Sequence, residues 1–153
     1  MCRASPKGFG LGTGTQKTSQ VPAGYKKVYD GGPDLEGKKS KAVVLGTLDL
    51  ILHEFEGQIY CTEANSSAFK FPLIDAPIAK DAETGVLSIE VPLDGTRYNL
   101  ETGEVLEWCP KSGNPLRFML GSLKEKERPV PLQVYPVVVS SDGIYTKYTP
   151  PGQ

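Results

Sequence analysis

An all-β domain, built as a small antiparallel sandwich or barrel, is what this sequence predicts. Three observations carry the prediction. Apolar residues recur with a period of two through most of the chain, as they do on half-buried strands. No stretch holds a helical period for three turns. Turn dipeptides containing glycine punctuate the series, and short strands at regular spacing belong to sandwiches and small barrels.

The elements follow in order. Residues 1–24 are rich in Gly, Ser, Thr and Lys without apolar periodicity, which predicts a flexible N-terminal arm. Glycines 8, 10, 12 and 14 invite comparison with a phosphate-binding loop. Gln16 stands where glycine should precede Lys17-Thr18, and no strand and helix flank the run, so it reads as a linker. The β domain is expected over 25–148, with a short tail over 149–153. Strands are predicted at 25–29, 42–45 and 48–53, where Leu48, Leu50 and Leu52 share a face and His53 is a half-exposed strand residue. Glu56-Gly57 turns into a strand at 58–62. Residues 86–91 place Leu87, Ile89 and Val91 on one face. Asp94-Gly95 leads to 96–100, and Thr102-Gly103 leads to 104–108. Residues 134–140 and 143–148 form a hairpin across Asp142-Gly143, a strong two-residue turn signal. Residues 110–129 mix Pro, Gly and both charges and read as a long surface loop.

Composition removes several classes of function. The 153 residues carry 17 basic and 18 acidic side chains, net −1, and no basic run tracks a phosphate backbone, so nucleic acid is not an expected partner. The longest apolar runs, such as Pro136-Val137-Val138-Val139, are strand-sized and far short of the ~20 residues of a membrane span. Any membrane association is expected through an anchor beyond Gln153. Cys2, Cys61 and Cys109 are odd in number and widely spaced, which points to reduced thiols and not to a disulfide framework. Cys61 sits in a strand and should pack as a small apolar residue. Cys109, between Trp108 and Pro110, is the more reachable thiol and the candidate redox site. A nucleophile needs an activating base, and no Cys–His spacing here supplies one, so catalysis is not expected. Asn65-Ser66-Ser67 matches a glycosylation triplet but follows no secretory signal. The start, Met1-Cys2-Arg3-Ala4-Ser5-Pro6, lacks acidic residues and resembles the stub left by an organelle transit peptide, with Met1 added for expression.

One run is more specific. It contains Val28-Tyr29, Asp34-Leu35-Glu36-Gly37, Gly57-Gln58-Ile59-Tyr60, Pro72-Leu73, and then the continuous 94–106 segment DGTRYNLETGEVL. In order and spacing this resembles the Rieske ferredoxin domain, across most of 25–148. That pattern runs Gly-x-x-Tyr, Cys-x-His, Pro-Leu, Cys-x-x-His-Gly, an aromatic strand, and Leu-x-Thr-Gly-x-x-Leu. The resemblance implies an antiparallel sandwich with two cluster-binding loops at one tip. Counting back from Pro72 puts the first ligand pair on Ser66 and Ala68; the second falls on Val91 and Asp94. A Rieske centre needs two thiolates and two imidazoles. The four positions supply neither, and the whole chain has one histidine, so the expected cofactor is none. Ser66 and Asp94 alone make a poor site for calcium or magnesium, and zinc would want His or Cys. What remains at the former tip is apolar: Phe69, Phe71 and Pro72 on one loop, Pro92 and Leu93 on the other. These side chains either fill the vacated space or form a partner-binding surface.

Among Rieske-like chains without ligands, this one is most similar to the thylakoid proteins of the photosystem II protein 33 type, from plants and green algae. That resemblance implies a chloroplast domain facing the stroma, partners among photosystem II or antenna subunits, and a role in keeping them organised. A thiol-based redox sensor using Cys109, and a regulatory subunit of an oxygenase-like enzyme, stay open as alternatives.

Overall fold

The computed structural model describes residues 15–150. In chain order the strands are β1 (Thr15–Lys17), β2 (Lys26–Tyr29), β3 (Ser40–Leu45), β4 (Leu48–Phe55), β5 (Gln58–Glu63), β6 (Ile78–Lys80), β7 (Leu87–Glu90), β8 (Arg97–Asn99) and β9 (Val105–Glu107). One helix, α1 (Pro115–Lys124), precedes β10 (Val134–Tyr135), β11 (Val137–Ser140) and β12 (Gly143–Thr146). The chain divides into two compact units. The first combines Met1–Glu63 with Gln133–Gln153, and the second is Ala64–Leu132.

The first unit holds two four-stranded sheets, ordered β10-β5-β4-β3 and β1-β11-β12-β2. In the first of these, β4 joins β5 in antiparallel register, from Leu50 opposite Glu63 to Phe55 opposite Gln58, a ladder as long as the one it forms with β3. Glu56-Gly57 closes that hairpin with both residues at positive φ, the geometry that matches strand twist. The alternation in β4 does what its sequence requires: Leu50 and Leu52 enter a core with Leu35, Val43, Ile59, Cys61, Tyr135, Val137, Val139 and Ile144, and Leu48 packs at its margin. Each such aliphatic side chain, fully buried, stabilises the fold by ~1.5–3 kcal/mol. The β11–β12 loop is Ser141-Asp142, one residue earlier than the sequence signal; Gly143 already pairs with Ser140.

Two expectations for this unit need correction. His53 is not half-exposed but buried, with Nε2 2.9 Å from the Thr62 hydroxyl. Thr62 Oγ1 donates to the Glu63 carbonyl, so the imidazole N–H donates to Thr62. The predicted arm is also not wholly structureless. Its residues 1–14 lie outside the described residues, but Thr15–Lys17 pairs in parallel with Val137–Val139. Thr18 N–H adds a bond to the Val139 carbonyl at 3.0 Å. Backbone groups on the open edge of β11 recruit this strand, and that needs no apolar periodicity in the recruit. In the tail, Gln133 donates to the carbonyl of Thr149, and 151–153 lie outside the described residues.

The second unit is an antiparallel sheet, ordered β9-β8-β7-β6, with α1. The helix corrects the long loop expected over 110–129. Asn114 caps it, accepting from Arg117 N–H at 2.8 Å, and Pro115 takes the first helical position, where its missing N–H costs nothing. At ten residues it falls just under three turns. Gly121 would ordinarily argue against a helix, but a Cβ there would meet the Cys109 carbonyl oxygen at 2.5 Å, so close packing demands glycine.

Candidate functional site

The two loops to which the motif count assigns ligand positions both belong to the second unit, and both are held by their own hydrogen bonds. The loop between β7 and β8 is a tight hairpin. Val91 N–H donates to the Thr96 carbonyl at 2.9 Å, and Gly95 N–H returns to the Val91 carbonyl at 2.8 Å. The neighbouring hairpins repeat this pattern. Asp81 N–H reaches the Val86 carbonyl and Gly85 N–H the Asp81 carbonyl; Asn99 N–H reaches the Glu104 carbonyl and Gly103 N–H the Asn99 carbonyl. All three glycines take positive φ, near 75° to 82°. The side chains Asp81 and Asn99 cap their own loops by accepting two backbone N–H groups each. Val91 cannot do so; instead Asp94 Oδ1 accepts from Thr96 N–H at 2.9 Å. Arg117 on α1 fastens the same loop, donating through Nη2 to Glu90 and to the Pro92 carbonyl at 2.8 and 2.9 Å.

The first loop is closed by Ser66 N–H to the Phe71 carbonyl at 2.8 Å, with Ser66 Oγ accepting from Phe71 N–H. Tyr98, fully buried on β8, ties this loop down. Its hydroxyl accepts from Ser67 N–H at 3.1 Å and lies 2.8 Å from Ser67 Oγ. Ser67 Oγ gives its proton to the Val130 carbonyl at 2.6 Å, so the Tyr98 hydroxyl donates to Ser67. Burial holds the Tyr98 phenol above its ordinary range, against the lowering effect of the Ser67 bonds.

All four ligand positions are buried: Ser66, Val91 and Asp94 completely and Ala68 almost so. Asp94 Oδ2 is buried without a hydrogen-bond partner among the described residues. Among those residues no three His, Cys, Asp or Glu side chains gather in a group able to hold a metal ion. The apolar tip residues divide into two kinds. Phe69 and Phe71 are half-buried and stacked, with centroids 5.5 Å apart, and Lys124 Nζ sits 5.0 Å over the Phe69 ring. Pro92 and Leu93 are exposed, Leu93 at 46%.

Cys109 is not reachable, contrary to the sequence expectation; it is buried two residues past β9 with positive φ. Its N–H donates to Thr96 Oγ1 at 3.1 Å, and its sulfur lies 3.3 Å from the same oxygen. Burial pushes the Cys109 thiol up, partly offset by the bond from Thr96. In the first unit Cys61 is sealed in the core and burial pushes its thiol up to about 12. Sequence reasoning missed Tyr98, Thr96 and Arg117 as the groups that organise the tip. The aromatic strand in the motif pointed at Tyr98, whereas nothing in the sequence pointed at Arg117.

A family model of the Rieske-like [2Fe-2S] domain matches residues 32–147. The chain belongs to the Rieske-like [2Fe-2S] domain family. Solved structures agree on the fold. The ferredoxin of carbazole 1,9a-dioxygenase from Nocardioides aromaticivorans IC177 is 18% identical, with TM-score 0.54, covering 83% of this chain and 100% of that one. A chain in the complex of reduced oxygenase and oxidized ferredoxin of carbazole 1,9a-dioxygenase is 21% identical, with TM-score 0.52, covering 82% and 94%. No curated protein sequence matches significantly.

Proposed function

We propose that this chain is a Rieske-like module that has kept the fold, given up the cluster, and works by binding protein without catalysis. One observation carries the reading. The four positions where the family motif places ligands hold Ser66, Ala68, Val91 and Asp94, all buried in loops that close on their own hydrogen bonds. The donor set does not fit the cluster: it offers no thiolate and no imidazole, and the chain's one histidine, His53, lies on β4. The β7–β8 hairpin repeats the backbone closure of two neighbours that carry no ligand motif, so its shape needs no metal.

The partners proposed are photosystem II or antenna subunits, met from the stromal side of the chloroplast thylakoid membrane, and the role is their organisation or maintenance. The support is the motif series from Val28 to Leu106 with its missing ligands. The thiol-sensor alternative is weakened by the burial of Cys109. The oxygenase-subunit alternative rests on likeness of fold alone.

The exposed tip residue Leu93 gives the test. Leu93→Ala is expected to change stability by no more than ~0.5 kcal/mol, as exposed side chains do. Capture of photosystem II or antenna subunits from solubilised thylakoids should fall several-fold for the same variant. Wild-type protein that captures none of them contradicts the proposed partners. Undiminished capture by the variant moves the contact away from Leu93.

A further inference from the structure

We infer that the outward face of α1 is a lipid-contact surface that seats on an anionic membrane interface. The inference stands on the helix itself and is independent of the partners proposed above. A surface helix ordinarily turns its apolar stripe inward and its charges outward. Here the arrangement is inverted. Arg117, Leu120, Gly121 and Lys124 share the inward face: Leu120 and Gly121 are buried, Arg117 is bonded to Glu90 and to the Pro92 carbonyl, and Lys124 lies over Phe69. The opposite half of the cylinder carries Leu116, Phe118, Met119 and Leu123, 43% to 64% exposed, with Pro115 and Ser122 between them and no charged side chain.

Charge selects the occupant. Residues 111–128 hold five basic side chains (Lys111, Arg117, Lys124, Lys126 and Arg128) against Glu125 and Glu127, in a chain whose net charge is −1. Lys111, Arg117 and Lys124 pair with Glu125, Glu90 and Glu127, so the surplus is Lys126 and Arg128, both exposed just after the helix; cations that follow an apolar helix face are the pattern of a helix lying in a headgroup layer. A protein partner fits less well. A standard interface engages about 20–30 residues a side, and a single ten-residue helix with four apolar side chains falls far short of that. Hydrocarbon asks for no shape match and no directional bonds, and this convex face offers none.

The test is vesicle flotation of the full chain. Wild-type protein should bind phosphatidylcholine vesicles that contain phosphatidylglycerol and should not bind pure phosphatidylcholine. Leu123→Ser and Phe118→Ser should each lower the partition coefficient by about tenfold or more, from the loss of buried apolar area. Lys126→Gln and Arg128→Gln should each lower it about fivefold, and added salt should weaken it. Val44→Ser, an exposed apolar position on β3, should leave it unchanged. Thermal melts of all variants should match wild type. No binding to anionic vesicles, equal binding to neutral ones, or indifference to Leu123→Ser overturns the inference. A dimer seen by sedimentation and dissolved by Leu123→Ser, without vesicle binding, overturns it in favour of a second copy of the chain.

Discussion

Replacing Tyr98 with alanine is expected to destabilise the protein by ~3–5 kcal/mol, the range for deleting a buried aromatic side chain. Tyr98 is fully buried and is among the largest side chains in the interior. Its hydroxyl ties down the first loop, accepting from Ser67 N–H and donating to Ser67 Oγ. Tyr98→Phe separates the two contributions. It keeps the ring and removes the half-buried Ser67 bonds, which should cost ~0.5–1.5 kcal/mol, the net contribution of an ordinary hydrogen bond. Urea denaturation of both variants beside wild type measures the pair. A phenylalanine variant as unstable as the alanine one would mean that the hydroxyl and not the ring holds the loop. A phenylalanine variant equal to wild type would mean that the Ser67 bonds contribute nothing net.

The second large effect concerns the thiols. In a Cys2→Ser background, native protein at pH 8 should react with a thiol reagent at least a thousandfold more slowly than the same protein unfolded. The thiolate is the nucleophile, and with its thiol pushed up to about 12, Cys61 has roughly one part in ten thousand as thiolate at that pH. It is also fully enclosed by the first unit's core. Cys109 is raised in the same direction by burial and is covered besides. Raising the pH should speed native labelling of both, since deprotonation is the first step. Stopped-flow labelling with mass spectrometry of the modified peptide assigns each rate. Fast native labelling at Cys109 would revive the redox-sensor alternative.

Much of the fold was legible because strands advertise themselves by alternation. The β4–β5 hairpin was readable from Leu48, Leu50 and Leu52 and the Glu56-Gly57 turn, since one-sided burial and left-handed turn residues are local requirements. The elements that escaped have non-local causes. Thr15–Lys17 becomes a strand only because β11 presents an unpaired edge. The helix at Pro115–Lys124 turns apolar residues outward, so its pattern runs against the rule used to find helices, and its cap, Asn114-Pro115, was the one local signal. His53 was misplaced for a related reason: one-sided alternation predicts a wet face, but β4 buries Ile51 and His53 as well as Leu50 and Leu52.

The site was legible in part. Counting from Tyr60 and Pro72 assigned Ser66, Ala68, Val91 and Asp94 to two loops, and the structure puts all four in buried loop positions. The division of the tip was not readable. Phe69 and Phe71 pack and stack, whereas Pro92 and Leu93 stay in solvent, and that outcome depends on where α1 lies. Arg117 is separated from Glu90 and Pro92 by some 25 residues or more of chain, and its role as the clasp of the second loop has no local signature.

The central claim is that a Rieske-like chain here works without its cluster, and iron content tests it most directly. Protein expressed in a host that loads Rieske centres, purified anaerobically and then challenged with iron and sulfide, should remain colourless. It should carry far less than one iron per chain, and chelator should not change its melting temperature. Two irons per chain, with a Rieske-type visible spectrum and electron paramagnetic resonance signal, would contradict the account.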